Sequence, residues 1–229
     1  NVAPKLATIY FNKGNTLKKL GRPEHAQTAY EKAIECEPLF QNAFLNLGVL
    51  LQETKKIPKA LECFHQLLKI APGNAKAHYN IGKCYQILNK FQDAQKSLSQ
   101  SLKLNSKDPD THFALANIYS SQHSYTKAIQ HVKKALNFKP NWAEAYSTLG
   151  INLANISKFE DAIIQCNKAI KLEPENGAFY LNLASVHYRA NDYFTADTTL
   201  QNPKIITSLS AEELIRKANL INQVSNTWN

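Results

Sequence analysis

Methionine is absent from this 229-residue chain and glycine occurs only seven times. No apolar run approaches the ~18–20 residues needed to cross a bilayer, so no membrane span is expected. The scarcity of glycine leaves no Gly-rich loop of the kind that cradles phosphate. The first residues, Asn1 to Lys5, lack both an initiator methionine and the charged-then-apolar pattern of a secretory signal, so the chain reads as a fragment of something longer. Cys36, Cys63, Cys84 and Cys166 form no C-x-x-C pair and share no common position. They read as small buried hydrophobes in a reducing compartment, cytosol or nucleus. Acidic residues are also in deficit, 18 against 27 Lys and Arg, for a net charge of +9. Residues 75–142 hold ten Lys against three Asp, whereas residues 143–176 reverse the balance with three Lys against five acids. A basic middle attracts acidic peptide, nucleic acid or anionic lipid, and charge alone does not choose among them.

What the chain has is period. Ala26, Ala60, Ala94, Ala128, Ala162 and Ala196 stand thirty-four residues apart. A second small-residue register, Gly14, Gly48, Gly82, Ala116, Gly150 and Ala184, runs at the same step. Small residues recurring at a fixed interval mark places where two helices approach closely, so the chain is one supersecondary unit copied six times. Such arrays bury neighbour against neighbour instead of building one central core.

Within the copy at residues 41–74, Phe44, Leu47, Gly48 and Leu51 make one apolar helical face, and Ala60, Phe64, Leu67 and Leu68 make another. A break at Lys55 to Pro58 separates them, and Pro72-Gly73-Asn74 follows, giving helix, turn, helix, turn. Helices of about 14 residues would be about 21 Å long. Pro38, Pro72, Pro140 and Pro174 close four copies, since proline cannot continue a helix interior. The third copy has Ser106 in that place, with Pro109 three residues later.

This pattern resembles the tetratricopeptide repeat (TPR) family over residues 7 to 200. The fifth copy carries it in Tyr146, Leu149, Gly150, Ala162, Ala169 and Pro174, and the first in Tyr10, Gly14, Ala26, Tyr30, Ala33 and Pro38. The resemblance implies an all-α, right-handed α-solenoid, a single domain over 1–229. Its repeats are expected at 7–40, 41–74, 75–108, 109–142, 143–176 and 177–203. Two departures stand out. Lys13 takes the slot usually held by Leu, so the amino-terminal face is expected to be loosely packed or exposed. Pro203 replaces an expected Ala and ends the sixth copy's second helix early. After a polar stretch through Ser208, Ser210-Ala211-Glu212-Glu213 reads as a capping box for a last helix over 210–225. Its stripe of Leu214, Ala218 and Ile221 is expected to cover the exposed end of the array.

The resemblance also implies that first helices line an inner, concave wall, so their inward residues are the candidates for peptide binding. One register reads Asn12, Asn46, Asn80, Ala114, Thr148 and Asn182, with Asn15 and Asn117 beside it. An amide offers a donor and an acceptor, so such a ladder suits the backbone of an extended peptide. The adjacent register, Phe11, Leu45, Tyr79, Phe113, Ser147 and Leu181, is mostly apolar and is expected to take side chains. Lys76 and Lys83 would meet acidic groups. The competing expectations are that the asparagines only hydrate the groove and that the apolar register packs on neighbouring helices.

The sequence leaves three alternatives to a general peptide groove. Some TPR co-chaperones clamp the acidic carboxyl-terminal tails of chaperones. Asn15, Asn46 and Lys76 match that clamp, but Phe11 and Asn80 stand where two of its cations belong. The asparagine ladder also resembles the superhelical arm of O-GlcNAc transferase, an arm whose catalytic region would lie elsewhere. A structural subunit of a large assembly is the remaining alternative. Catalysis in this chain is not expected. His78, His112 and His187 fall at packing positions, and His25, His65, His123 and His131 lack metal-ligand spacing. Lys90, Lys96, Lys103, Lys107, Lys127, Lys133, Lys134 and Lys139 fall on second helices or loops with no aromatic series expected between them, which reads as a solvated exterior instead of a nucleic-acid surface. The expectation is therefore a non-enzymatic module, without metal or cofactor, that binds a protein or peptide carrying acidic segments.

Overall fold

A computed structural model describes residues 2–202, 205 and 209–225, and among them it has thirteen helices and no strand. The first hairpin is α1 (Val2–Lys19) and α2 (Pro23–Cys36), the second α3 (Gln41–Glu53) and α4 (Ile57–Ile70), and the third α5 (Ala75–Ile87) and α6 (Phe91–Leu104). These belong to one compact unit, residues 1–107. The second unit, residues 108–229, contains α7 (Pro109–Ser121), α8 (Tyr125–Phe138), α9 (Ala143–Asn155), α10 (Phe159–Leu172), α11 (Gly177–Arg189), α12 (Tyr193–Leu200) and α13 (Ala211–Ser225).

First helices from α3 to α11 have 13 residues and second helices from α2 to α10 have 14, so one hairpin and its turns fill each period. Asn74, Asp108 and Asn176 start first helices by accepting a backbone N–H from Ala77, Thr111 and Ala178, which satisfies an otherwise orphaned donor. Proline plays a second part beyond closing copies. Pro23 and Pro109 are the first residues of α2 and α7, and Pro58 is the second residue of α4 instead of part of a break. The amide that proline lacks has no helical partner at those positions.

The turn inside every hairpin uses one device. Gly21, Lys55, Asn89, His123, Ser157 and Asn191, one period apart, all have positive φ, between 56° and 69°. At the second copy Lys55 N–H donates to the Gln52 carbonyl and Lys56 N–H to the Leu51 carbonyl, closing the end of α3 in the left-handed manner. The small-residue register has the contact the period implied. A Cβ built on Gly48 would lie 2.5 Å from the Phe64 ring, and one on Gly14 2.6 Å from Tyr30. Tyr30, Phe64, Leu47, Leu51, Ile57 and Ala60 form the core of the first unit with Ile81 and Cys84.

The last helix differs from its expected packing. The capping box forms: Ser210 N–H and hydroxyl both donate to the Glu213 carboxylate, at 2.9 and 2.7 Å, and Glu213 N–H returns to the Ser210 oxygen. These bonds hold the Glu213 carboxyl below its ordinary range. But Ala218 and Ile221 are exposed, and Leu220 and Val224 are the residues that pack on Leu181, Ala184, Ala196 and Leu200. The reason is register. Helix α13 starts thirty-four residues after α11, so it stands as the first helix of a seventh copy. Ala218 therefore continues the small-residue register, the side that each earlier copy turns toward its own second helix, and no second helix follows among the described residues. The side chain of Leu214, Pro203 and residues 206–208 lie outside the described ones. Helix α12 does end early, at Leu200.

Candidate functional site

The first-helix face of the first unit gathers the asparagines into a network. Asn46 Nδ2 donates to Asn15 Oδ1 at 2.8 Å, tying α3 to α1, and the Tyr30 hydroxyl donates to the same oxygen at 2.8 Å. Burial raises the Tyr30 phenol above its ordinary pKa, which keeps it a donor. Asn12 is exposed one turn before Asn15, and Lys18 pairs with Glu53 at 2.8 Å on the same two helices. Lys76 is exposed at the start of α5, and Lys83 Nζ lies 5.6 Å from the centre of the Tyr79 ring, a cation–π distance. Phe11, Leu45 and Tyr79 are half-buried.

Several expected groove residues turn out to be interior. Asn80 is only 8% exposed, and its amide donates to the Lys76 carbonyl of its own helix, so it is not presented as a hook for a peptide. Phe113 is 7% exposed with its ring 4.4 Å from that of Trp142, and Ser147 and Leu181 are buried with it in the same register. That register packs between neighbouring helices, as Phe11 does at 5.0 Å from Phe40 and 6.0 Å from Tyr30. The apolar track therefore keeps only its partly exposed members Phe11, Leu45 and Tyr79. In the second unit Asn117 is half-buried. Asn182 donates to the Ser147 hydroxyl at 2.9 Å and accepts from Arg216 of α13 at 3.3 Å, so the last helix already holds that amide.

The cationic positions of a chaperone-tail clamp are filled by packing groups, Phe11 and Asn80, and Lys83 serves Tyr79. Among the described residues no cluster of three or more His, Cys, Asp or Glu has metal-site geometry. Burial pushes the thiols of Cys63 and Cys84 up to about 11 and that of Cys166 to about 12, which keeps them protonated and unreactive. No helix among the described residues is long and apolar enough to cross a membrane.

Two features escaped the sequence. His112 and His131 meet through their Nδ1 atoms at 3.1 Å, joining the two helices of the fourth copy. Burial, the neighbouring His112 and Lys134 push His131 down to about 4. The signal available was only that position 131 lies on the same hairpin, with no spacing rule to pair the rings. On the lysine-rich exterior, Lys139 lies 4.1 Å from the Trp142 ring and Lys127 5.6 Å from Tyr119. Each of these two rings is paired to a lysine of the chain itself.

No curated protein matches the sequence. Tetratricopeptide repeat family profiles match residues 7–39, 40–107, 87–150 and 147–196, so together they cover the chain from 7 to 196. The fold is similar to that of the protein in "Crystal structure of APC/C hetero-tetramer Cut9-Hcn1", with 17% identity over 96% of this chain and 43% of that one, and a TM-score of 0.82. It is similar to pilF of Pseudomonas aeruginosa, at 18% identity, 96% and 100% coverage and a TM-score of 0.79. It is also similar to YrrB, described as a TPR protein with an unusual peptide-binding site, at 18% identity, 87% and 97% coverage and a TM-score of 0.63. The thirteen helices, their thirty-four-residue step and these matches together place the chain in the tetratricopeptide repeat family, in the all-α solenoid class.

Proposed function

We propose that this protein-interaction module binds an extended segment of a protein partner along the first-helix face of α1, α3 and α5. Tetratricopeptide repeats are generally non-catalytic interaction or scaffold modules, and the exposed chemistry of this face supports the finer reading. The observation that carries it is the Asn15–Asn46 amide pair, which bridges two copies beside the half-buried Leu45 and the stacked Tyr79 and Lys83. Asn12 and Asn46 supply backbone partners, Leu45 and Tyr79 take an apolar side chain, and Lys76 and Lys83 meet a carboxylate. A hydrogen bond to a charged group contributes about 1.5–3 kcal/mol, so one Lys–carboxylate contact sets roughly ten- to hundredfold in affinity. YrrB supports the reading only as a protein of this fold whose description names a peptide site.

The test is selection of twelve-residue peptides from a random display library on the folded protein, followed by fluorescence anisotropy of the winners. Selected peptides are expected to carry Asp or Glu and to lose at least tenfold in affinity to Lys83→Ala and to Asn46→Ala. Winners that bind equally well to a combined Asn46→Ala, Tyr79→Ala, Lys83→Ala protein would sink the assignment.

A further inference from the structure

The third and fourth copies share a histidine near the start of the first helix and a tyrosine two turns later, His78 with Tyr85 and His112 with Tyr119. On the second helix they differ, because His131 of the fourth copy has Ser97 as its counterpart in the third. In the fourth copy the His131 ring fills the space between the other two. Its Nδ1 lies 3.1 Å from that of His112, and its centre 5.3 and 5.4 Å from those of His112 and Tyr119. In the third copy the Ser97 hydroxyl turns back along α6 and donates to the Asp93 carbonyl at 2.9 Å. A cleft of about 540 Å³ therefore stays open beside His78 and Tyr85, with Leu68 of α4 and Ile81 of α5 also in its walls. That volume lies in the range of small-molecule sites. At 100° per residue, His78, Ile81 and Tyr85 lie on the side of α5 away from Lys76, Tyr79 and Lys83, so this cleft is separate from the first-helix face.

We propose that this cleft binds a free small aromatic acid, one whose planar ring carries an O–H or N–H donor. The ring follows from the fourth copy, where the chain's own imidazole occupies the equivalent place against a histidine and a tyrosine. The donor follows from His78. Its Nε2 lies 3.2 Å from the Pro72 carbonyl oxygen, which can only accept, so Nε2 carries the proton and Nδ1 is the acceptor. Nδ1 is the same atom through which His112 meets His131. The acid follows from the rim, where Lys96 and Lys103 face a single carboxylate, Asp93, and none of the three has an ion-pair partner among the described residues. A ligand carboxylate there gains charge-assisted contacts, while its ring covers Leu68 and Ile81 and stacks on Tyr85. The place is open in one copy and filled from within in the next, which suits a molecule of one or two rings in preference to a chain laid across copies.

The test is a titration of the whole chain with para-hydroxyphenylacetate, followed by backbone amide NMR shifts. Saturable shifts are expected at Ile81, Tyr85 and Gln100, with a dissociation constant on the order of 0.1–1 mM for a ligand of this size. Phenylacetate, which lacks the ring donor, and para-cresol, which lacks the carboxylate, are each expected to bind at least threefold more weakly. Ser97→His copies the fourth copy's own filling and is expected to abolish the shifts. Lys103 is exposed, so Lys103→Gln is expected to keep the parent's circular dichroism, to weaken para-hydroxyphenylacetate at least threefold and to leave para-cresol unchanged. Conversely, His131→Ser is expected to open a second site, with new saturable shifts at Leu115 and Tyr119. Absence of saturable shifts up to about 10 mM, equal binding of phenylacetate, or shifts that survive in a folded Ser97→His protein would overturn the proposal. A capped Asp-Tyr dipeptide that binds at least tenfold more tightly than para-hydroxyphenylacetate would also overturn it, because the ring would then belong to a polypeptide.

Discussion

Adding one methyl group at Gly48 puts the packing of the repeat to a quantitative test. Its carbon would lie 2.5 Å from Phe64 Cε1 and 2.7 Å from Cζ, and Phe64 is fully buried, so the ring has to retreat by about 1 Å to restore ordinary contact. Overpacking of this kind costs about 1–3 kcal/mol, and the better helix propensity of alanine returns about 1 kcal/mol. Gly48→Ala is therefore expected to destabilise by about 0–2 kcal/mol, an interval too wide to be decisive alone. The fourth copy indicates the decisive experiment, because it carries Ala116 with Val132 where the second carries Gly48 with Phe64. Phe64→Val alone leaves a void and is expected to cost about 2–3 kcal/mol. With Gly48→Ala added, the methyl occupies part of that void, and the double variant is expected to be at least ~1 kcal/mol more stable than the sum of the singles. Urea titration followed by circular dichroism measures this cycle, fitted as a one-dimensional array because repeat proteins depart from two-state unfolding. Additivity within about 0.5 kcal/mol would refute the idea that the small-residue register exists to admit the facing side chain.

Other consequences are checked by the same titration. Lys55 adopts φ 61°, a region that costs side-chain-bearing residues about 1–2 kcal/mol relative to glycine, so Lys55→Gly is expected to stabilise by about 0.5–1 kcal/mol net of glycine's greater chain entropy. A loss of stability would contradict the left-handed turn. Asn152 is fully buried with its Oδ1 unpartnered, in the register that holds Val186 in the sixth copy, so Asn152→Val is expected to gain about 1–3 kcal/mol, and a destabilised variant would show that the amide is satisfied. His131 has its folded pKa lowered to about 4, so its stabilising contribution is complete above the unfolded value of about 6.5 and is lost as pH falls from there toward 4. Partial exposure limits the effect to about 1–2 kcal/mol, and His131→Gln is expected to flatten the decline of the urea midpoint between pH 7 and 4.5. An equally steep decline in that variant would assign the acid sensitivity elsewhere.

The fold was legible because its determinants are local and repeated. Alanine and glycine at thirty-four-residue spacing report helix contacts, and Ser210 with Glu213 reports a helix start through adjacent atoms. The left-handed turn was not legible, since glycine marks it only at Gly21, and Lys55, His123 and Ser157 carry no such signal. The first-helix face was half legible. Periodicity placed Asn46, Leu45 and Phe113 on first helices, but exposure depends on neighbouring helices, which bury Phe113 against Trp142 and leave Leu45 partly open. The facing of α13 was not legible for a related reason. The helix alone shows a stripe of Leu214, Ala218 and Ile221, whereas the register of the array decides which side meets α11 and α12. Asn182 and Arg216 stand one period apart, so the register relates their positions, whereas His112 and His131 join different helices at a separation that no one-dimensional pattern reports.

Site-specific photocrosslinking tests the central claim most directly. A crosslinking amino acid at Asn12 or Lys76 samples the exposed part of the first-helix face, and one at Ile164, 52% exposed on α10, samples a second helix. With a partner captured in solution, the account predicts that Asn12 and Lys76 both crosslink to one continuous segment of that partner and Ile164 does not. Crosslinks confined to Ile164 would contradict it and move the interaction to the second helices.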